Sequence, residues 1–219
     1  RLAGGEVVER AAALRLAAVG VDSLGGVARA LEAAACRCPV LHCGNAGHNE
    51  TFLKDFVEIL PSPEAIKTRY TELLAQSLER ERAGHLAWRA AHNRHSFAHR
   101  MDAIHSWLGI SRTAVPKPLA SIVTPSMRPQ NQAHVLRQYE QQSYPCKELV
   151  YVFNGDAGQI PSLPTDRQDI RIVHVPREYS TGMVMNAGLQ EAKGEYVFKL
   201  DDDDLYGNHY VADRMIYFR

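Results

Sequence analysis

The stretch KGEYVFKLDDDDLYG, Lys193 to Gly207, decides how this chain is read. Glu195 to Lys199 have the aromatic and β-branched character of a buried strand, and the run then passes Leu200 into four consecutive aspartates. Adjacent carboxylates repel by roughly 1 kcal/mol or more per close pair, so water must surround them or a cation must neutralise them. Hard divalent cations such as Mg²⁺ and Mn²⁺ take carboxylate oxygens and share their remaining positions with substrate phosphates. An aspartate run at the end of a strand therefore reads as a metal site, with Asp201 and Asp203 turned the same way if the chain stays extended. The bland alternative for such a run is a solvated loop.

Outward from this stretch, the second half repeats a rhythm. LASIVTP (119–125), KELVYVFNG (147–155), DIRIVHVP (169–176) and GEYVFKL (194–200) are short β-branched or aromatic runs. Helical patterns lie between the first pair (MRPQNQAHVLRQYEQQS) and the last pair (GMVMNAGLQEAKG). Strand, helix, strand at this spacing predicts an α/β fold with a doubly wound, mainly parallel, Rossmann-like sheet over residues 119–219, with ligands beyond the carboxyl ends of the strands.

The first half reads differently. GGVARALEAAA is Ala-rich and amphipathic, as is EVVERAAALRLAAVG, and residues 62–109 read as one long helical tract. Ser62, followed by Pro63 and Glu64, is a good N-cap, and Gly84 is expected to punctuate the tract. CPVLHCG between helices suggests a short buried strand, so residues 1–110 form a helix-rich α/β part. ISRTAVPKP then carries two prolines that oppose helix and sheet pairing, which makes 111–118 the linker.

Composition limits the function classes. Of 219 residues, 45% are hydrophobic and 23% charged, ordinary for a globular chain. With 25 basic against 25 acidic residues no global field draws in nucleic acid or anionic membrane, so an anionic ligand must be held locally. No stretch approaches ~18 consecutive apolar residues and RLAGGEVVER lacks the apolar core of a signal peptide, so no membrane span is expected and the expected compartment is the cytoplasm. A start at Arg1 and the uncapped amphipathic end HYVADRMIYFR suggest a piece of a longer protein.

Cys36, Cys38 and Cys43 cluster near His42 and His48, but C-x-C-x₄-C fits zinc knuckles poorly, and these thiols with Cys146 read as reduced structural residues. His85, His92, His95, His99 and His105 lie in one basic tract. No glutamate follows His95, so the zinc-protease pattern is absent and a solvated helix face is the expectation.

Three strand ends carry polar residues with chemical options. After the first comes TPSMR, where Ser126 could cap the following helix and Arg128 would add a charge to an anion site there. After the second comes FNGDAG, where Asn154 and Asp156 could hydrogen-bond a base or ribose. After the fourth come Asp201 to Asp204. Convergence of the three on one sheet edge would make a site.

Residues 119–219 resemble the nucleotide-binding half of a family 2 glycosyltransferase of the GT-A fold, through SIVTPSMRP, QSYP, FNGDAG and, above all, NAGLQEAKGEYVFKLDDDD. The resemblance implies a nucleotide-diphosphate-sugar donor, a UDP-sugar first, a carbohydrate or other hydroxyl acceptor, and Mn²⁺ or Mg²⁺. It places the D-x-D motif on Asp201, Asp202 and Asp203. Asp203 is then the direct metal ligand, and Asp201 a contact to ribose or a metal-bound water. It assigns Thr124, Pro125, Ser126 and Asn154 to the base and Asn186 to support of the pocket. Phe153 and Asn154 stand where that family often has an acidic pair, and Met185 where it often has arginine. The implied reaction is an inverting transfer in which the metal stabilises the departing diphosphate. Its general base lies in that family on the acceptor side, which here would be beyond Arg219.

GGVARALEAAACRCPVL and the tract Pro61 to Ile104 resemble the C-terminal part of a spore-maturation-type glycosyltransferase of the GT-B fold. That resemblance implies a His-x-Phe-x-x-Arg element at His95, Phe97 and Arg100 and a ribose-contacting glutamate at Glu32, with Arg37 and Cys38 replacing a small glycine turn. Two other classes fit these residues less well. A nucleotidyltransferase is disfavoured because TPSMRP is not a glycine-rich, lysine-bearing phosphate loop. A metal-dependent binding module without catalysis is disfavoured because no EF-hand spacing follows Asp201.

Overall fold

In the computed structural model, residues 19–22, 27–44, 50–111, 116–162 and 167–218 are described. The chain divides into two compact units at Thr113/Ala114, inside the proline-bearing segment. Each unit is built on its own parallel sheet.

In the first unit the sheet order is β1 (Gly20–Asp22), β2 (Val40–Cys43), β3 (Val57–Leu60), all parallel. Around it lie α1 (Val27–Ala35), a single turn α2 (Glu50–Leu53), α3 (Pro63–Ala75), α4 (Ser77–Arg94) and α5 (Phe97–Trp107). The expected strand in CPVLHCG is β2, whereas β1 and β3 were not foreseen, because VEIL and GVD are too short to show a period. The helix expected over residues 6–20 lies outside the described residues up to 18, and Gly20 belongs to β1. Ser62 caps α3, its Oγ accepting from Ala65 N at 3.2 Å, with Pro63 in the first turn.

The long tract is three helices, and Gly84 does not punctuate it. The breaks fall at Gln76 and at His95–Ser96, while Gly84 is buried inside α4. Its role is close approach: a Cβ there would stand 2.2 Å from the carbonyl oxygen of Arg37. Arg37 itself has φ +63°, in the left-handed region that a glycine turn would occupy without strain.

In the second unit the order is β6 (Ile170–Val175), β5 (Lys147–Asn154), β4 (Ala120–Ser126), β7 (Tyr196–Lys199), again all parallel. Val135 and Tyr139 of α6 (Gln132–Gln141) and Val211 and Met215 of α8 (Tyr210–Met215) pack on one sheet face with Ile122, Leu149 and Tyr151. Val184 of α7 (Thr181–Glu191) packs on the other with Val123, Val150 and Val152. The sheet is thus wound on both faces, as the strand rhythm predicts. Successive residues of β4 and β5 serve opposite cores, which is why both strands read as continuous apolar runs.

β7 departs from the expectation of a buried strand. Among the described residues it pairs only with β4 and forms the sheet edge, and of its four residues Phe198 alone is buried. Two glycines of the NAGLQEAKGEY segment explain its spacing. A Cβ on Gly188 would lie 2.5 Å from Val123 and 2.8 Å from Val152, so α7 sits directly on the sheet. A Cβ on Gly194 would meet Leu119 O at 2.6 Å and Ser121 N at 2.7 Å, so the turn into β7 passes against β4. That turn is tied by Gly194 N donating to Ser121 Oγ (2.8 Å), Lys193 N donating to Glu148 Oε1 (2.6 Å) and Ser121 Oγ donating to the same carboxylate (2.6 Å).

Candidate functional site

The chain runs from β4 outward to β5 and β6, then returns to place β7 on the other side of β4. The carboxyl ends of β4 and β7 therefore flank the switch point of the sheet, where open α/β sheets leave a crevice. A cleft of about 380 Å³ lies there, lined by Pro125, Ser126, Met127, Arg128, Asn154, Thr181, Val184 and Asp201 to Asp203.

The aspartate run is bent. Leu200 N still donates to Val123 O at 3.2 Å, but the chain turns at Asp202–Asp203, so Asp201 and Asp203 do not continue an extended strand. The bend turns Asp202 inward. It is 4% exposed, and its Oδ2 accepts from Ser126 Oγ at 2.5 Å, Arg128 Nε at 3.0 Å and Asn131 Nδ2 at 3.4 Å. A second guanidinium nitrogen of Arg128 donates to Asp202 Oδ1, completing a forked pair. Burial acts to raise the Asp202 carboxyl, and the bonds from Arg128 and Ser126 overcome it, holding it below the usual carboxylate range.

The outer aspartates carry cations as well. Arg128 Nη2 lies 2.9 Å from Asp203 Oδ2, and Lys199 Nζ lies 2.5 Å from Asp201 Oδ1. Each contact raises the pKa of its cation, Asp202 and then Asp203 acting on Arg128 and Asp201 on Lys199.

Buried glutamines fix the loop after the run. Gln138 Oε1 accepts from Tyr206 N at 2.9 Å, while Gln142 donates to Gly207 O at 3.1 Å and accepts from Val211 N at 3.1 Å. The Tyr206 hydroxyl in turn accepts from Asp201 N at 2.9 Å. These residues, with Asn131, Lys199 and Thr181, were not foreseen. The available signal was a pair of glutamines at i, i+4, Gln138 on the apolar face of α6 beside Val135 and Tyr139 and Gln142 at its C-cap, buried polar groups that must find partners.

Of the residues expected at the site, Pro125, Ser126, Arg128, Asn154, Asp201, Asp202 and Asp203 line one cleft. Three do not. Thr124 is buried within β4, its hydroxyl without a hydrogen-bond partner among the described residues. Asp156 is exposed and lies 3.5 Å from Arg177. Asn186 is an exposed residue inside α7, because Val184 and Gly188, two positions to either side, face the sheet. Ser126 does not cap α6. A 3₁₀ turn at Pro129–Asn131 intervenes, and the hydroxyl instead accepts from Arg128 N at 3.0 Å and donates to Asp202. The helix that does open at the cleft is α7, capped by Ser180, with Thr181 in the lining.

Asn154 is buried at the end of β5 and its amide donates to Pro176 O, which orients its side chain beside the cleft. Among the described residues no three His, Cys, Asp or Glu side chains converge as a ready metal cage. The four cysteines are free thiols, and no described helix is long and apolar enough to cross a membrane.

The first unit has a pocket of its own, about 400 Å³, lined by Glu32 and Leu31 of α1 with Ala91, His92, His95 and Ser96 among the facing residues. His95 is not on a solvated face. It is 8% exposed, edge-on to Phe52 and Phe56, with Nε2 3.4 Å from Asp55 and Nδ1 accepting from Arg100 at 2.6 Å. Burial lowers its pKa below the ordinary imidazole value. Phe97, by contrast, is 80% exposed, and Arg100 stacks on Phe52 instead.

Residues 16–106 match a protein-family model described as glycosyl transferase-like. The match lies within the first unit and covers less than half of the chain, so the chain carries a glycosyltransferase-like region. No curated protein matches the chain.

Proposed function

We propose that the second unit is the donor-binding half of a family 2, GT-A-type glycosyltransferase. It takes a nucleotide-diphosphate sugar, a UDP-sugar first, with Mn²⁺ or Mg²⁺, for transfer to a hydroxyl acceptor. The observation that carries this reading is the meeting of the Ser126–Arg128 turn and Asp201–Asp203 at the switch point of a parallel sheet, around a cleft of about 380 Å³.

The residues present suit a divalent cation in kind. Asp201 and Asp203 offer hard oxygen donors on one cleft, and cationic groups of this chain already rest on both. Two carboxylates leave coordination positions for phosphate oxygens, which supports a cation shared with the ligand. Bound there, the metal would supply charge neutralisation for a departing diphosphate. Arg128 presents a guanidinium to the same anion, fixed in place by Asp202. Asn154 lines the cleft, and with its amide nitrogen committed to Pro176 its side-chain oxygen is left as the acceptor for ligand donors.

The test is calorimetric titration of the 219-residue chain with UDP in manganese and in chelator. Binding far tighter in manganese is expected. Equal affinity in the two conditions removes the metal-dependent donor site.

A second ligand site in the first unit has one observation on its side: the pocket in the glycosyltransferase-like region brings Glu32 and His95 together from α1 and the end of α4. Glu32 is then the group for ribose hydroxyls, and Glu32→Gln weakens nucleotide binding that survives Asp203→Asn.

A further inference from the structure

We propose that Arg128 is the resident counter-cation of Asp203, that a divalent cation takes Asp203 from it, and that the freed guanidinium edge then receives the diphosphate, so that metal and diphosphate bind cooperatively. This rests on the donor-site reading and adds a role that the aspartate motif does not itself supply.

The geometry makes the two contacts of Arg128 unequal. Toward Asp202 the guanidinium makes a forked pair with a buried carboxylate that Ser126 and Asn131 also hold. Toward Asp203 it makes one contact of 2.9 Å with a carboxylate whose side chain is 55% exposed. An incoming cation can therefore draw Asp203 away while Arg128 stays on Asp202. The displaced guanidinium N–H then faces the cleft that the phosphates would enter.

The charges favour the same sequence. Asp201, Asp202 and Asp203 against Arg128 and Lys199 leave one net negative charge at the cleft, which repels a diphosphate. Adding a divalent cation reverses the sign and attracts it. Before the metal arrives, Arg128 shields Asp203 and lowers its attraction for cations, so metal alone binds weakly. Lys199 shields Asp201 likewise but is not among the cleft-lining residues, so it lacks the second half of the role.

The experiment measures Mn²⁺ binding without nucleotide from the free-ion electron paramagnetic resonance signal, and UDP binding at saturating Mn²⁺ by calorimetry, for wild type, Arg128→Met and Lys199→Met. Arg128→Met should bind Mn²⁺ alone more tightly, by about tenfold, the scale of one partly screened charge contact. It should bind UDP in manganese more weakly by a similar factor, whereas Lys199→Met should tighten the metal without weakening UDP. Arg128→Lys, which keeps the charge but not the fork, serves if the methionine variant does not fold, and should move both affinities in the same directions by less.

Failure of wild type to bind UDP in manganese sinks the donor-site reading and this role with it. Wild-type UDP binding with both affinities of the Arg128 variants unchanged, or both weakened, leaves the donor site standing and overturns the role of Arg128 alone.

Discussion

Gly84 and the carbonyl of Arg37 are in such close approach that a methyl group on the glycine would stand 2.2 Å from the oxygen. Arg37 holds that carbonyl in a left-handed turn that also places its guanidinium over Trp88, 4.7 Å from the ring centre.

Gly84→Ala sets two effects of opposite sign against each other. Alanine in a helix interior gains about 1 kcal/mol over glycine, while overpacking against backbone costs typically about 1–3 kcal/mol or more. Because the obstacle is a backbone carbonyl, the clash should win, lowering the denaturant midpoint of the first unit. A midpoint that rises would mean that the turn yields.

Gly194→Ala applies the same test to the second unit. The added carbon would press on Leu119 O and Ser121 N and push Gly194 N off the Ser121 hydroxyl. A loss of about 2 kcal/mol or more in urea unfolding is expected, from the overpacking and the orphaned hydrogen bond together. An unchanged midpoint would mean that β4 yields to the added carbon and that close approach does not require a glycine there.

At the cleft, Asp203→Asn keeps the shape but removes a charge, and metal-dependent UDP binding should fall by about tenfold or more, or 1.4 kcal/mol. Asp204→Asn should do less, since Asp204 is not part of the cleft lining. Equal losses in titrations of the two variants would show that the register of the aspartate run is misassigned.

His95 should make the first unit sensitive to acid. Its folded pKa is depressed by burial, with Arg100 and Arg94 adding to that and Asp55 opposing it. An unfolded histidine titrates near ~6.5, so the unfolded chain binds the proton more readily. The stability this residue contributes is complete above that value and is lost as pH falls through the lower folded value. In proton NMR titrations, one imidazole should titrate below ~6.5 and vanish in His95→Gln, whose melting should vary less with pH than that of wild type. A His95 midpoint at or above the ordinary value would contradict the burial argument.

Much of the fold was legible because its signals are local. Residues 147–154 and 120–126 read as strands from side-chain type alone, since a parallel strand covered on both faces needs no alternation. Ser62 with Pro63 announced a helix start for the same local reason. Length and spacing failed where elements are short, as in β1 and β3, or where a glycine serves packing at a distance, as Gly84 does against Arg37.

At the site, the residue types were written in the sequence, but their division of labour was not. Asp201, Asp202 and Asp203 are chemically identical, and only the bend after β7 makes Asp202 the buried brace and leaves Asp203 outward. Ser126 and Asn131 reach Asp202 across more than 70 positions, and Gln138 and Gln142 pin the loop from α6, contacts that no local pattern encodes. Asn186 was misplaced because helix phase depends on which face meets the sheet, and that is decided by Val184 and Gly188 packing on strands far away in sequence. The sequence by itself determined the alternation of strands and helices and the chemistry available at the strand ends, because propensity and charge belong to single residues. The tertiary structure alone decided which carboxylate is buried and which faces the cleft, because burial and pairing belong to neighbours brought together by the fold.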